Sequence, residues 1–143
     1  MSETAILFPI MTLIGWTLIV HLLIPIRRFK AGGKGIVTAS DFKYGELSRV
    51  PGEVSFPNRN FMNLLEAPVL FYVVCILQYV AKMPIPYFVF GAWLYVVLRV
   101  VHSLIHLTYN KVKHRLAAFA ASNVILIILW IALFYAIAAS PTF

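Results

Sequence analysis

The sequence predicts an all-α integral membrane protein folded as a four-helix bundle, and three observations lead to this fold class. Apolar residues make up 62% of the 143-residue chain, and its mean hydropathy is +0.88. Charged residues make up only 12%, about half the usual share in soluble proteins. The apolar residues also collect in long segments, and together these features are typical of a chain that lies in a lipid bilayer.

Four apolar segments are each long enough to cross the hydrocarbon core of a bilayer, which takes about 20 helical residues. They lie at about residues 5–26, 58–80, 87–109 and 116–139. The chain length suits one bundle, so we expect a single domain over residues 1–143. The one cysteine, Cys75, falls inside the second segment and is interpreted as a small core residue.

Proline and glycine mark the expected boundaries of these segments. Pro25 helps to end the first segment, and residues 31–57 form a polar connection that begins with the flexible-turn sequence AGGKG. This sequence is not a phosphate-binding loop, because the GK[ST] ending and the flanking strand are absent. Pro68 lies inside the second segment and predicts a kink there.

The basic residues predict the orientation of the chain in the membrane. Seven of them follow the first segment or begin the second, three more lie between the third and fourth, and only Lys82 lies between the second and third. By the positive-inside rule, the two basic connections are cytoplasmic and both termini lie on the opposite side. A net charge of +7 distributed in this way indicates membrane topology and does not indicate a nucleic-acid-binding surface.

Polar side chains interrupt the second segment on one helical face. Arg59, Asn63 and Glu66 stand at i, i+4 and i+7, and Glu66 lies about 10 Å beyond Arg59 along a helix. A carboxylate at that depth costs about 2.5–3.5 kcal/mol to insert. We therefore expect a polar partner to face Glu66.

The third segment offers that partner in a second polar stripe, made of Arg99, His102 and His106. Glu66 either accepts a hydrogen bond from the ammonium group of a ligand or neutralises Arg99, and the sequence leaves both alternatives open. The facing stripes predict a half-buried pocket for an anionic or zwitterionic ligand, since arginine binds carboxylates with two parallel hydrogen bonds. An adjacent apolar wall would admit a lipophilic second substrate from the membrane.

These motifs, in their order and spacing, resemble the MAPEG family, the membrane-associated proteins in eicosanoid and glutathione metabolism. The resemblance rests on Arg59-xxx-Asn63-xx-Glu66, on Arg99-xx-His102-xxx-His106 and on the later Arg115, and it covers nearly the whole chain. It implies a homotrimer of four-helix subunits that contacts membrane lipids and acts on a lipophilic small molecule. It also implies glutathione as the co-substrate and no metal, with transferase or peroxidase chemistry on electrophiles or hydroperoxides.

The resemblance also assigns roles to individual residues. It implies that glutathione is bound by Arg27 or Arg28 and by Arg59, Asn63, Glu66, Arg99, His102 and His106. The sequence departs from the family pattern at His106, where the well-studied enzymes place tyrosine. Arg115 would be catalytic, because a guanidinium beside the sulfur favours the thiolate, which is the nucleophile. The alternative is that Arg115 only anchors the fourth helix at the membrane surface.

Two other functions compete with glutathione chemistry. One is non-catalytic lipid binding by a protein of the same fold, which glutathione binding to purified protein would distinguish. The other is a metal enzyme, since His102 and His106 form an HxxxH pair on a helix. Histidine-box membrane oxygenases need about eight histidines, whereas this chain has four.

Overall fold

The computed structural model describes residues 3–140, and this part of the chain is helical except for its connections. A 3₁₀ turn at Glu3–Ile6 leads into helix α1, and a second 3₁₀ turn lies at Ala39–Phe42. The five α-helices are α1 (Leu7–Gly33), α2 (Gly52–Leu65), α3 (Ala67–Ala81), α4 (Phe88–Leu107) and α5 (Val112–Ala138).

Helices α2 and α3 follow each other almost without interruption, so the five helices make four units long and apolar enough to cross a membrane. These units are Thr4–Gly33, Gly52–Ala81, Phe88–Leu107 and Val112–Ala138. The predicted all-α fold with four candidate spans is therefore confirmed. The predicted positions of the chain ends concern residues 1–2 and 141–143, which lie outside the described part.

The first and second spans are longer than the sequence indicated. α1 continues past Pro25 to Gly33, so the residues expected to begin a flexible turn are helical. Gly35, which has a φ of +69°, follows the end of this helix. α2 begins at Gly52, six residues before the expected start, and contains Pro57 within its first two turns. A single proline is tolerated where packing against neighbouring helices compensates for the missing N–H.

The second span is broken at Glu66, whose φ of −84° and ψ of −95° are outside the helical region. Pro68 cannot donate a backbone hydrogen bond to the carbonyl of Leu64, and its ring crowds that carbonyl. Ala67 and Pro68 therefore begin a new helix. The sequence predicted a kink from Pro68, and the structure places the break two residues before the proline.

The core runs along the inner faces of α1, α3, α4 and α5. Its fully buried members include Leu13, Phe71 and Tyr95, and the rings of Phe71 and Tyr95 stack with their centroids 4.4 Å apart. α4 and α5 form the most extensive helix pair, joined by the short connection at residues 108–111. In a lipid environment such contacts stabilise by close packing, because lipid tails already provide an apolar surrounding.

A buried polar cluster connects three of the helices. The hydroxyl oxygen of Ser103 on α4 accepts hydrogen bonds from Trp16 Nε1 on α1, at 2.8 Å, and from Asn60 Nδ2 on α2. Asn60 and Ser103 have no exposed surface. Each stands next to a candidate site residue, Arg59 or His102, so this cluster fixes α2 and α4 relative to each other where those residues emerge.

The connection at residues 34–51 is folded, although its glycine content predicted flexibility. Asp41 is buried, accepts hydrogen bonds from the backbone N–H of Thr38 at 2.7 Å and from its hydroxyl, and pairs with Arg49. The Thr38 backbone hydrogen bond and the Arg49 guanidinium hold the pKa of Asp41 below its usual value, against the opposing effect of burial. Arg28 bonds Glu46 at 2.8 Å and covers the ring of Phe42 at 4.3 Å.

A small apolar cluster supports this connection. Its buried members come from the end of α1, from the connection and from the start of α2, namely Ala31, Val37, Val50 and Val54. The connection therefore folds over the same end of the bundle at which α1 and α4 end and α2 and α5 begin.

Candidate functional site

A cavity of about 230 Å³ lies where α4 ends and α5 begins. Its polar wall consists of Asn63, His102 and Arg115, and the rest is lined by Val112, Leu116 and Phe119. The i, i+3, i+7 stripe on α4 and the i, i+4 pair Arg59 and Asn63 on α2 lie on neighbouring helices. Asn63 and His102, one from each stripe, accordingly meet in this cavity together with Arg115.

His102 is buried on α4, and its Nδ1 lies 3.0 Å from the backbone carbonyl oxygen of Arg115. A carbonyl only accepts hydrogen bonds, so Nδ1 carries the proton and donates it. Nε2 has no hydrogen-bond partner in the described chain, and it carries a lone pair when the ring is neutral. This nitrogen is therefore available to accept a hydrogen bond from a ligand.

Arg115 is half-buried in the first turn of α5. Its Nη1 donates to Asn110 Oδ1 at 2.8 Å, and this is the guanidinium's only hydrogen bond within residues 3–140. Asn110 has a φ of +46°, a left-handed conformation that asparagine tolerates better than most residues. The short connection between α4 and α5 thus holds Arg115 from one side and leaves the rest of its fork free for an anion.

Arg99 is fully buried one turn deeper than His102. Its Nη2 donates to the backbone carbonyl of Asn63, and the guanidinium lies over the ring of Phe119 at 5.5 Å. Within the described residues its Nε and Nη1 have no hydrogen-bond partner. A buried guanidinium with unused donors is costly and is typical of a site that receives further polar groups.

Glu66 differs from its expected position. It is exposed at the break between α2 and α3, and no ion pair joins it to Arg99 among the described residues. The continuous helix that carries Arg59 and Asn63 ends at Leu65, and Glu66 acts on Arg99 only through its charge, without a hydrogen bond among the described residues. Arg99 instead bonds a backbone carbonyl.

Arg59 and His106 flank the cavity without lining it. Arg59 is exposed on α2, and its backbone carbonyl accepts a hydrogen bond from Asn63 Nδ2 at 3.1 Å. His106 is buried near the end of α4, with its ring 5.9 Å from Phe56 and 6.2 Å from His102.

Arg27 and Arg28 lie away from the cavity in the subunit. Arg27 donates to the backbone carbonyls of Glu53, at 2.8 Å, and of Leu107, at 3.3 Å. Arg27 thereby connects the start of α2 and the end of α4 to α1, whereas Arg28 pairs with Glu46 in the folded connection. Neither arginine meets Asn63, His102 or Arg115 within one chain.

Sequence reasoning missed Trp16, Asn60, Ser103 and Phe119 as residues that position the site. The available signal was the presence of Asn60 and Ser103 inside or beside apolar runs, directly next to the candidate residues Arg59 and His102. Trp16 and Phe119 gave no such signal, because an aromatic residue in an apolar segment is ordinary core. Among the described residues, no group of three or more histidine, cysteine, aspartate or glutamate side chains is placed to hold a metal ion.

Comparison with known proteins gives one match. The model of the MAPEG family matches residues 6–135, nearly the whole chain. No curated protein and no solved structure matches.

Proposed function

Because the chain belongs to the MAPEG family, we propose that this integral multi-pass membrane protein is a glutathione-dependent transferase or peroxidase acting on lipophilic electrophiles or hydroperoxides. The family includes glutathione transferases and peroxidases as well as non-catalytic members. The observation that carries the proposal is the cavity in which Asn63, His102 and the partly free guanidinium of Arg115 meet.

The charges around this cavity suit an anionic tripeptide. Arg115 and the buried Arg99 provide donors for carboxylates or a thiolate, and Asn63 and His102 Nε2 provide further hydrogen-bonding groups. Val112 and Arg115 come from the first turn of α5, where the backbone N–H groups carry partial positive charge. Both effects favour an anion in the cavity.

Arg115 is proposed to hold the glutathione sulfur as a thiolate. In transfer, the thiolate forms a carbon–sulfur bond with the electrophile, whose leaving group departs with the electron pair. In peroxide reduction, the thiolate attacks the terminal oxygen of the hydroperoxide, the oxygen–oxygen bond breaks with its electron pair on the alkoxide, and a sulfenic acid forms. The alkoxide then takes a proton from water to give the alcohol. A second glutathione then converts the sulfenic acid to a disulfide and water.

A cavity of about 230 Å³ is small for a whole tripeptide, which supports a role for a neighbouring subunit. Glu66 and Arg59 are exposed on the second span, where a charge facing lipid is costly. We propose that a homotrimer covers these side chains and completes the site, so that Arg27 or Arg28, Glu66 and His106 reach glutathione only in the assembly. The number of subunits comes from the family resemblance.

The proposal is tested by titrating the purified protein in mild detergent with glutathione and with its S-methyl derivative, using calorimetry. We expect saturable binding of both compounds, with glutathione favoured at high pH where its thiolate forms. A panel of lipophilic electrophiles and hydroperoxides is then assayed for glutathione-dependent turnover. Absence of glutathione binding would favour the non-catalytic lipid-binding alternative.

A further inference from the structure

A second cavity, of about 400 Å³, lies beside the end of α1 and is separate from the candidate site. Its wall carries three cationic side chains, Arg27, Lys30 and Lys34, and one anionic side chain, Glu53. None of Asn63, His102 or Arg115 lines it. We call it the α1 cavity.

The cations of the α1 cavity differ in what they already contact. Arg27 is occupied by the backbone carbonyls of Glu53 and Leu107, so it forms part of the wall. Lys30 and Lys34 are exposed and make no ion pair or side-chain hydrogen bond within residues 3–140. The two lysines therefore supply uncompensated positive charge to the cavity.

The spacing of the lysines lets both ammonium groups reach one anion. Lys30 lies in the last turn of α1, Lys34 caps the end of that helix, and both side chains line the same cavity. Glu53, at the start of α2, is exposed, and its carboxylate pairs with no cation in the described chain. Three cations against one carboxylate leave the cavity positive.

The remaining wall of the α1 cavity is largely apolar and includes Val54, Phe56 and Leu107. A soluble phosphate or sulfate would gain nothing from this surface. An amphiphile would place its charged group on the lysines and its apolar part along Phe56 and Leu107 toward the spans. The ends of α1 and α4 meet here, joined by the hydrogen bond from Arg27 to the Leu107 carbonyl, and basic residues at the ends of spans are expected near the head groups of a bilayer.

We propose that the α1 cavity binds the phosphate group of an anionic phospholipid through Lys30 and Lys34. A lysine ammonium binds phosphate as a point charge, and two of them one turn apart match a single phosphodiester. The proposal does not depend on glutathione chemistry, since Lys30 and Lys34 are not among the residues assigned to glutathione.

The test uses the full-length protein, purified in mild detergent and incubated with phosphatidylglycerol or with phosphatidylcholine of the same acyl chains. Bound lipid is counted by native mass spectrometry. The variant is Lys30→Gln/Lys34→Gln. The matched control is Lys111→Gln/Lys113→Gln, which removes two equally exposed lysines at the same end of the bundle. Glycerol phosphate, added as a competitor, distinguishes a soluble phosphate from a lipid.

We expect the wild type and the control to prefer phosphatidylglycerol, and the Lys30/Lys34 variant to bind it about tenfold or more weakly. Phosphatidylcholine binding should change little. Equal losses in the two double variants would show general surface attraction and overturn the proposal, as would an unchanged preference in the Lys30/Lys34 variant. Displacement of the lipid by glycerol phosphate at similar concentration would show a site for soluble phosphates instead.

Discussion

At the scale of single residues, Arg115 carries the chemistry of the proposed function. Arg115→Ala should leave glutathione binding largely intact, because Arg99 and the surrounding polar groups remain. Turnover should fall at least about tenfold, roughly 1.4 kcal/mol of activation free energy, since the thiolate loses its nearest cation. Arg115→Lys should restore part of the rate, because lysine keeps the charge but not the planar fork.

The measurement for Arg115 is the pH profile of turnover, recorded beside Lys113→Ala as a control. Lys113 is exposed in the same helical turn and does not line the cavity. If Arg115→Ala had the same turnover rate as the wild type and the same dependence on pH, Arg115 would have no role in the mechanism.

Ser103 is the residue that connects three helices. Ser103→Ala removes the hydroxyl acceptor of both Trp16 and Asn60, which leaves the half-buried Trp16 N–H without this partner and leaves Asn60 Nδ2 only its 3.5 Å contact with the backbone carbonyl of residue 103. We expect a loss of about 1–2 kcal/mol in the free energy of unfolding, within the range for buried hydrogen bonds in membrane proteins. This loss should appear as a lower melting temperature of the variant in mild detergent.

Thr108→Ala is the control for Ser103, since the Thr108 hydroxyl bonds only the Leu104 carbonyl of its own helix. An equal melting temperature for Ser103→Ala and wild type would contradict a role for this cluster in holding α2 against α4.

At the scale of elements, the connection at residues 34–51 depends on Asp41. Its pKa is lowered in the folded state, so its stabilising effect is present above the ordinary carboxyl pKa and is lost as the pH falls through the lowered value. The protection of the connection's amides against hydrogen exchange, relative to the intrinsic exchange rate at each pH, should therefore fall at acid pH in the wild type. In Asp41→Asn this protection should already be low at neutral pH.

Trypsin gives an independent reading of the same prediction. Cleavage after Lys43 should become several times faster in Asp41→Asn at neutral pH, because the local opening that exposes the chain costs less free energy. Glu53→Gln serves as the control, since Glu53 is exposed and pairs with no cation in the described chain. Equal cleavage rates in the two variants would show that Asp41 does not order the connection.

The sequence correctly predicted those features of the fold that depend on neighbouring residues in the chain, such as apolar runs and prolines. Hydropathy located all four spans, and Pro68 indicated a kink in the second. The extra turns of α1 and the early start of α2 depend on contacts among Ala31, Val37, Val50 and Val54, which are distant in sequence. The glycine and proline content of residues 31–57 predicted a flexible connection there, but tertiary packing outweighs this local preference.

The same difference between local signals and distant contacts explains which site residues were predicted correctly. Helical spacing correctly indicated that Asn63 and His102 face each other, because the spacing holds within a continuous helix. The spacing does not extend to Glu66, which lies at the break, and the structure of one chain does not bring Arg27 or Arg28 to the cavity.

At the scale of the whole molecule, both basic connections should lie in the cytoplasm. Ser48→Cys places a thiol on the exposed surface of the connection at residues 34–51, and Lys82→Cys places one at the other end of the bundle. The native Cys75 is buried, so the wild type provides the unlabelled control. An impermeant maleimide applied to intact cells should label Lys82→Cys and spare Ser48→Cys, and the reverse pattern would invert the topology.

Assembly is the second property of the whole molecule. If neighbouring subunits cover Glu66, then Glu66→Gln should weaken the trimer and the binding of glutathione together, while the helical content of each subunit stays the same. Native mass spectrometry in mild detergent reports the subunit number. The control is Glu53→Gln, which changes an exposed carboxylate at the very start of the second span. A wild type that is only monomeric under these conditions would contradict the trimer.

The break at Glu66 has an electrostatic consequence for Arg99. Because α2 stops at Leu65, its last turn ends inside the bundle, and Asn63, whose carbonyl binds the Arg99 guanidinium, belongs to that turn. The C-terminal end of a helix carries about half a negative elementary charge from its macrodipole. The half-helix thus adds negative charge from its backbone beside Arg99, in addition to the charge of Glu66, and a continuous helix through residue 66 would leave the buried cation without this backbone contribution.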